Sequence, residues 1–231
     1  MSSLDRMLSE ELLQERYEDY AMLSRLFRLE IDAPLLKDLI DSPVPEPSGN
    51  EAIDASYAEM RAYLDEANDR TKSNLAIDYV ISFIGYPPDP NDKNRPKGPR
   101  AAVPYESVYV SRNGSLLQES TLDVTATYNA YGFRPTKTRI DFDDHIACEL
   151  EFMQFLTGQE ILAVREGESG KAEGYLRVQR DFIDAHMLTW VPQFSQLVQQ
   201  FSETAFYSAL AKLALAVLEA DRERISQALE L

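Results

Sequence analysis

Leu13, Tyr17, Tyr20, Ser24 and Phe27 fall at alternating steps of four and three residues, which puts them on one face of a helix over 5–29. The same period returns at Ile53, Tyr57, Met60 and Leu64 within 51–70, and at Leu75, Tyr79 and Phe83 within SNLAIDYVISFIGY. A short helix from Ala33 to Ile40 stops at DSPVPEPSGN, where prolines remove backbone donors and punctuate the chain. Residues 121–133, 144–156, 171–200 and 203–228 are further helices. The third of these is broken near Pro192, and Phe206, Leu210, Leu213 and Val217 line one face of the last. Strand-like alternation is sparse. The pattern predicts an all-α fold, a single globular multi-helix domain over 1–231.

One stretch interrupts the rhythm. GYPPDPNDKNRPKGPRAAVPYES, residues 85–107, holds half of the chain's twelve prolines, and Lys93, Arg95, Lys97 and Arg100 make its middle basic. A loop of this length inside a domain is a functional lid or, over 85–104, a hinge between two helical halves. Polar, proline-rich sequence of this kind is also where proteases cut first, which is expected over 88–101.

Charge narrows the partners. Acidic residues outnumber basic ones 39 to 23, for a net charge of −16, which argues against nucleic acid and anionic lipid and favours a cationic ligand such as a basic peptide. Acidic helices also simply keep a protein in solution. The single Cys148 leaves no internal disulfide, and MSSLDRMLSEELLQERYEDY has no apolar core segment of a signal peptide. No run approaches the ~20 apolar residues of a membrane span. A cytoplasmic protein with no membrane insertion is expected.

Most enzyme chemistries lack their residues. REGESGK, 165–171, has Arg165 where a phosphate loop needs its first glycine and Ala172 where magnesium needs a hydroxyl, so it reads as a helix–helix connection. There is no GxSxG elbow, zinc spacing or dinucleotide fingerprint, and no cofactor is expected. What remains is DFDDHIACELEFMQFLTG, 141–158. His145 and Glu149 are four apart and could share a metal in a metal-dependent helical enzyme, with Asp144 orienting the imidazole. The same residues also serve as an ordinary helix-surface pair behind an Asp143 or Asp144 N-cap. Ile146, Leu150, Met153 and Leu156 keep the helical period and should face the core, which leaves His145 pointing partly outward. Tyr79, Phe83, Tyr105 and Tyr109 flank the proline-rich loop, either as core or as the wall of a peptide groove.

Three segments in order carry a family resemblance: YEDYAMLSRLF (17–27), VPYESVYVSRNGSLLQE (103–119) and DDHIACELEFMQFL (143–156), with HMLTWVPQFSQLVQ (186–199) following. Together they resemble the TorD/DmsD-type cytoplasmic chaperones of molybdoenzyme maturation. Here Asp143 stands near the place of the proline that often precedes the Asp-His pair, and tyrosines stand for some members' groove tryptophans. The resemblance implies a non-enzymatic all-helical chaperone that binds the twin-arginine leader and the apo-form of a molybdopterin oxidoreductase. It also implies a monomer or a helix-exchanged homodimer. The binding residues it implies are Pro104, Tyr105, Ser107, Asp144 and His145, with Tyr79 and Phe83 more loosely. An arginine pair would meet Asp143, Asp144 or Glu149 through charge-assisted, bidentate bonds, and the apolar part of the leader would settle on Tyr79, Phe83 and Tyr105. On this reading 141–158 is a cap and docking corner, and a generic acidic interaction scaffold is the remaining alternative.

Overall fold

Short polar side chains decide where the first helices begin. Ser2 and Asp5 form a reciprocal capping box that opens α1 (Ser3–Met7), and the Ser9 hydroxyl accepts from the Leu12 amide to open α2 (Glu10–Arg28). The single helix expected over 5–29 is therefore two helices, parted at Leu8–Ser9 by the second cap. Asp32 caps α3 (Ala33–Asp41), with Pro34 in its first turn, and Asn50 caps α4 (Glu51–Asp65). This computed structural model describes residues 2–43, 45–85, 100–112 and 114–230. Residues 86–99, most of the stretch expected to be a lid, hinge or first cleavage site, lie outside the described residues.

The remaining elements are α5 (Thr71–Tyr79), continued by a π-helical turn over Val80–Ile84, then α6 (Glu106–Val110), α7 (Glu119–Ala130), α8 (Ile146–Arg165) and α9 (Ser169–Phe182). A second π-helical turn over Ile183–Met187 follows, then α10 (Val191–Phe201) and α11 (Ala205–Ala228). The fold is all-α, and among the described residues the only β pairing is an isolated bridge between Tyr105 and His145. The expected break near Pro192 sits slightly earlier, at the π turn and the three residues after it. Pro192 itself falls in the first turn of α10, where a missing N–H costs nothing. Among the described residues no helix is long and apolar enough to cross a membrane.

The chain forms two compact units. Unit 1 comprises Met1–Leu29, Tyr105–Val191 and Val217–Leu231; unit 2 comprises Glu30–Pro104 and Pro192–Ala216. In unit 1, α8 lies against both α2 and α9, which explains why it is apolar around most of its circumference. Ile146, Leu150, Met153 and Leu156 are fully buried as their period requires, together with Leu13, Tyr20, Leu23 and Phe27 of α2 and Leu176 of α9. Each such side chain contributes about 1.5–3 kcal/mol through removal from water.

Unit 2 is organised around an aromatic cluster and one carboxylate. Tyr79 and Phe83 pack edge-on to each other at 5.1 Å, and to Tyr207 at 5.9 and 5.4 Å; Phe194 stacks on Phe83 at 6.1 Å. The buried Asp78 accepts from the amides of Glu203 and Thr204, both at 2.8 Å, and from the hydroxyls of Ser82, Ser202 and Thr204. It satisfies the backbone donors that lead into α11. At the end of the π turn Gly85 has φ 75° and donates to the Val80 carbonyl at 2.7 Å. A Cβ there would lie 3.2 Å from that of Ala101, so both the turn and the close approach require glycine.

Candidate functional site

The corner of unit 1 before α8 gathers most of the residues singled out in the sequence. Tyr105 and His145 pair through the isolated bridge, and the Glu106 amide donates to the Asp144 carbonyl at 2.9 Å. The Asp144 carboxylate accepts from the Ser107 amide at 2.9 Å, which ties the start of α6 to the start of α8. The cap of α8 is His145, not Asp143 or Asp144: its Nδ1 accepts from the Ala147 amide at 3.0 Å. That bond fixes the ring inward, with the Tyr105 ring edge-on at 4.8 Å, so His145 is 4% exposed and does not point outward as expected. Burial, with a smaller contribution from Arg28, pushes the imidazole pKa down to about 3, and the ring is neutral at ordinary pH. Asp143 is held elsewhere, by Lys137 at 2.6 Å and by the hydroxyl of Thr125 at 2.6 Å.

Glu149 faces into the unit instead of toward His145. Its carboxylate accepts from the Trp190 indole at 3.2 Å, and the Trp190 ring lies 5.2 Å from that of Tyr109. Beside it Glu106 is buried and its carboxylate meets His186 Nδ1 at 3.2 Å. Three carboxyl groups, on Glu106, Asp144 and Glu149, are thus buried together. Burial is the main reason that the Glu106 and Glu149 pKa values are raised; their mutual repulsion and Asp144 add to it at Glu149. Ser107 Oγ, Asp144 Oδ1 and Glu149 Oε1 are all buried and have no hydrogen-bond partner. Among the described residues no group of three His, Cys, Asp or Glu side chains is arranged to hold a metal ion.

The structure therefore brings together Tyr105, Ser107, Asp144, His145 and Glu149. Tyr79, Phe83 and Pro104 belong to unit 2, where all three are buried and the first two form its aromatic core. Sequence reasoning missed Glu106 and His186. It also missed a second buried polar group in unit 1, centred on Arg16. That guanidinium meets Asp221 at 2.8 and 3.0 Å and Glu160 at 2.9 Å, and it donates to Gln179; the Tyr20 hydroxyl donates to Asp221 at 2.6 Å. The signal was present in the sequence: Arg16 lies three after Leu13 and four before Tyr20, and Glu160 lies four after Leu156, so both charges occupy apolar stripes.

The family model for the nitrate reductase delta subunit matches residues 46–196, more than half of the chain. The chaperone protein TorD of Vibrio cholerae serotype O1 is 28% identical over 222 residues, covering 94% of each chain. That of Aliivibrio fischeri is 24% identical over 218 residues, covering 94% of this chain and 89% of the relative. The TorD chaperone of Photobacterium profundum is 32% identical over 152 residues, 66% of each chain. With that family model over more than half of its length and similarity along nearly all of it to proteins named as TorD chaperones, the chain belongs to the nitrate reductase delta subunit family as one of its TorD-like members.

Proposed function

We propose that this protein is a cytoplasmic chaperone that binds the twin-arginine leader of a molybdopterin oxidoreductase and holds the apo-enzyme until its cofactor is inserted. The observation that carries the reading is the set of unpartnered buried oxygens at the corner of unit 1: Asp144 Oδ1 and Glu149 Oε1 accept from no donor, and the Ser107 hydroxyl has no partner. A guanidinium supplies five N–H donors and a positive charge in one planar group, which is what such a corner lacks. Tyr105, half-buried and 6.0 Å from the Phe142 ring, forms an aromatic rim on which a guanidinium or an apolar side chain can lie. Asp144, His145 and Glu149 act from beneath that rim: Asp144 and Glu149 supply unpaired oxygen acceptors, and His145 fixes its geometry as the cap of α8. In unit 2, Tyr79 and Phe83 act as packing against Tyr207 and Phe194.

Titration calorimetry with a synthetic peptide of paired arginines and an apolar tail tests the reading. The wild-type chain binds it, with affinity that falls as salt screens the charges, and binds a Lys-Lys version more weakly. Asp144→Asn combined with His145→Asn keeps an acceptor for Ser107 and a competent N-cap, so the fold survives. Affinity drops about tenfold, roughly 1.4 kcal/mol. Unchanged affinity in that variant removes the corner from the site, and equal binding of both peptides at all salt concentrations removes the arginine preference.

A further inference from the structure

The entry to α7 presents leucines to water. Leu116 is 41%, Leu117 57% and Leu122 65% exposed, against full burial for core leucines of unit 1 such as Leu13, Leu23, Leu150 and Leu176. With Gln118 as the N-cap, Leu117 and Leu122 occupy the N′ and N4 positions, which lie side by side where a helix begins and often pack as a staple. A staple alone does not explain them, because most of both side chains remains in solvent. Nor is the backbone at ease: Leu117 has φ 56°, a left-handed conformation that is costly for a leucine and that glycine or asparagine adopts readily. The chain thus keeps an apolar side chain, outward, at a position where a small or polar residue would fit better.

The surroundings specify what would cover this ridge. From Ser115 to Ala130 the only charged residues are Glu119 and Asp123, and both are exposed beside Leu122. Among the described residues neither carries a salt bridge, while the nearest cation in sequence, Arg112, stands before the turn. The same helix borders the binding corner: Thr125 and Tyr128 of α7 donate to the side chain and carbonyl of Asp143, the residue before Asp144. Leu122 and Thr125 are about 4.5 Å apart along the helix axis, and Asp123, next to Leu122, is close enough to the corner to help raise the Glu106 pKa, although burial is the main cause of that shift.

We propose that the Leu116–Leu117–Leu122 ridge, bordered by Glu119 and Asp123, is the docking surface for the apolar residues that adjoin the arginines of a client leader. The proposal rests on the leader-binding reading and adds to it a surface that discriminates an amphipathic basic–apolar segment from a merely basic one. Arginine at the corner sets the register, and the neighbouring aliphatic side chains cover the leucines.

The test uses the full chain, the arginine-pair peptide with an apolar tail, and a second peptide whose tail residues are serines. Leu122→Ser and, separately, Leu117→Asn weaken binding of the apolar-tailed peptide by about tenfold or more. Leu117→Asn melts no earlier than wild type, since it relieves the left-handed leucine, so lost binding there is not lost folding. Against the serine-tailed peptide both substitutions have no effect. Glu119→Gln with Asp123→Asn flattens the salt dependence of binding. Wild-type affinity in both leucine variants overturns the ridge and leaves the leader reading standing. A change of oligomeric state without a change in peptide affinity also overturns it, by assigning the ridge to a second copy of the chain. A wild-type chain that ignores the apolar-tailed peptide overturns the leader reading itself, and the ridge with it.

Discussion

Arg16→Ala lowers folding stability by about 3–5 kcal/mol, the typical cost of stripping a buried charge of its partner. Arg16 is 3% exposed and stands between two buried carboxylates, Glu160 and Asp221. Burial opposes its charge, but Asp221 and then Glu160 outweigh that penalty and its pKa is raised. Glu160 is pushed up to about 7, because burial exceeds the opposing pull of Arg16 and Gln179. Removing the guanidinium leaves both carboxylates without their main donor in a medium that solvates them poorly. The Tyr20 hydroxyl and Gln179 cannot replace a full charge. Against a typical total of 5–15 kcal/mol, the loss is a large fraction, and urea denaturation at constant pH reads it directly. Replacing Arg16, Glu160 and Asp221 together by apolar residues of similar volume recovers most of the loss, since no unpaired charge then remains. A cost below about 1 kcal/mol for Arg16→Ala would show that water reaches the cluster and that it holds nothing together.

Periodicity made the helices legible because most of them bury a single face. The stripe Ile146, Leu150, Met153 and Leu156 is fully buried, as is Phe206, Leu210 and Leu213 on the last helix. Boundaries were less legible, because periodicity does not register hydroxyl caps: Ser9 splits the first helix although the apolar pattern runs on toward it. The two π turns left no trace in the pattern either, since each is a single five-residue turn, too short to establish a period of its own.

The candidate site was legible in composition and misread in direction. Asp144, His145 and Glu149 are at the corner together with Tyr105 and Ser107, but the outward His145 expected from its place before the apolar stripe is an inward cap. A single-helix projection cannot show that the preceding segment, Tyr105–Ser107, comes back to cover the ring and to take the Asp144 carboxylate. Glu106 and His186 escaped notice for the same reason. They are 80 residues apart and only the tertiary fold puts the imidazole on the carboxylate.

The acidic corner makes stability depend on pH in a direction opposite to that of most proteins' carboxylates. Glu149 is buried against Glu106 and Asp144, with Tyr128 also near, and Trp190 is the donor its carboxylate has. Its folded pKa lies well above the ordinary value of 4.5. A carboxyl raised on folding holds its proton more tightly in the native state, so its contribution is complete below the unfolded pKa and is lost as pH rises through the folded one. His145 acts in the other sense: its folded pKa of about 3 is below the ordinary 6.5, so its contribution is complete above 6.5 and is lost as pH falls toward 3. Between these limits the two slopes oppose each other in the wild type. Glu149→Gln separates them, because an amide resembles the protonated carboxyl and does not titrate. The variant and wild type have similar pH-dependence below about pH 4.5. Above it the variant gains on wild type by as much as about 1.4 kcal/mol for each pH unit, until the folded carboxyl ionises. Urea midpoints for both chains from pH 4 to pH 9 measure the difference. A difference that stays constant across the range would mean that Glu149 is ionised in the folded protein with an ordinary pKa, and that the corner is open enough to water to keep its carboxylates charged without a guanidinium.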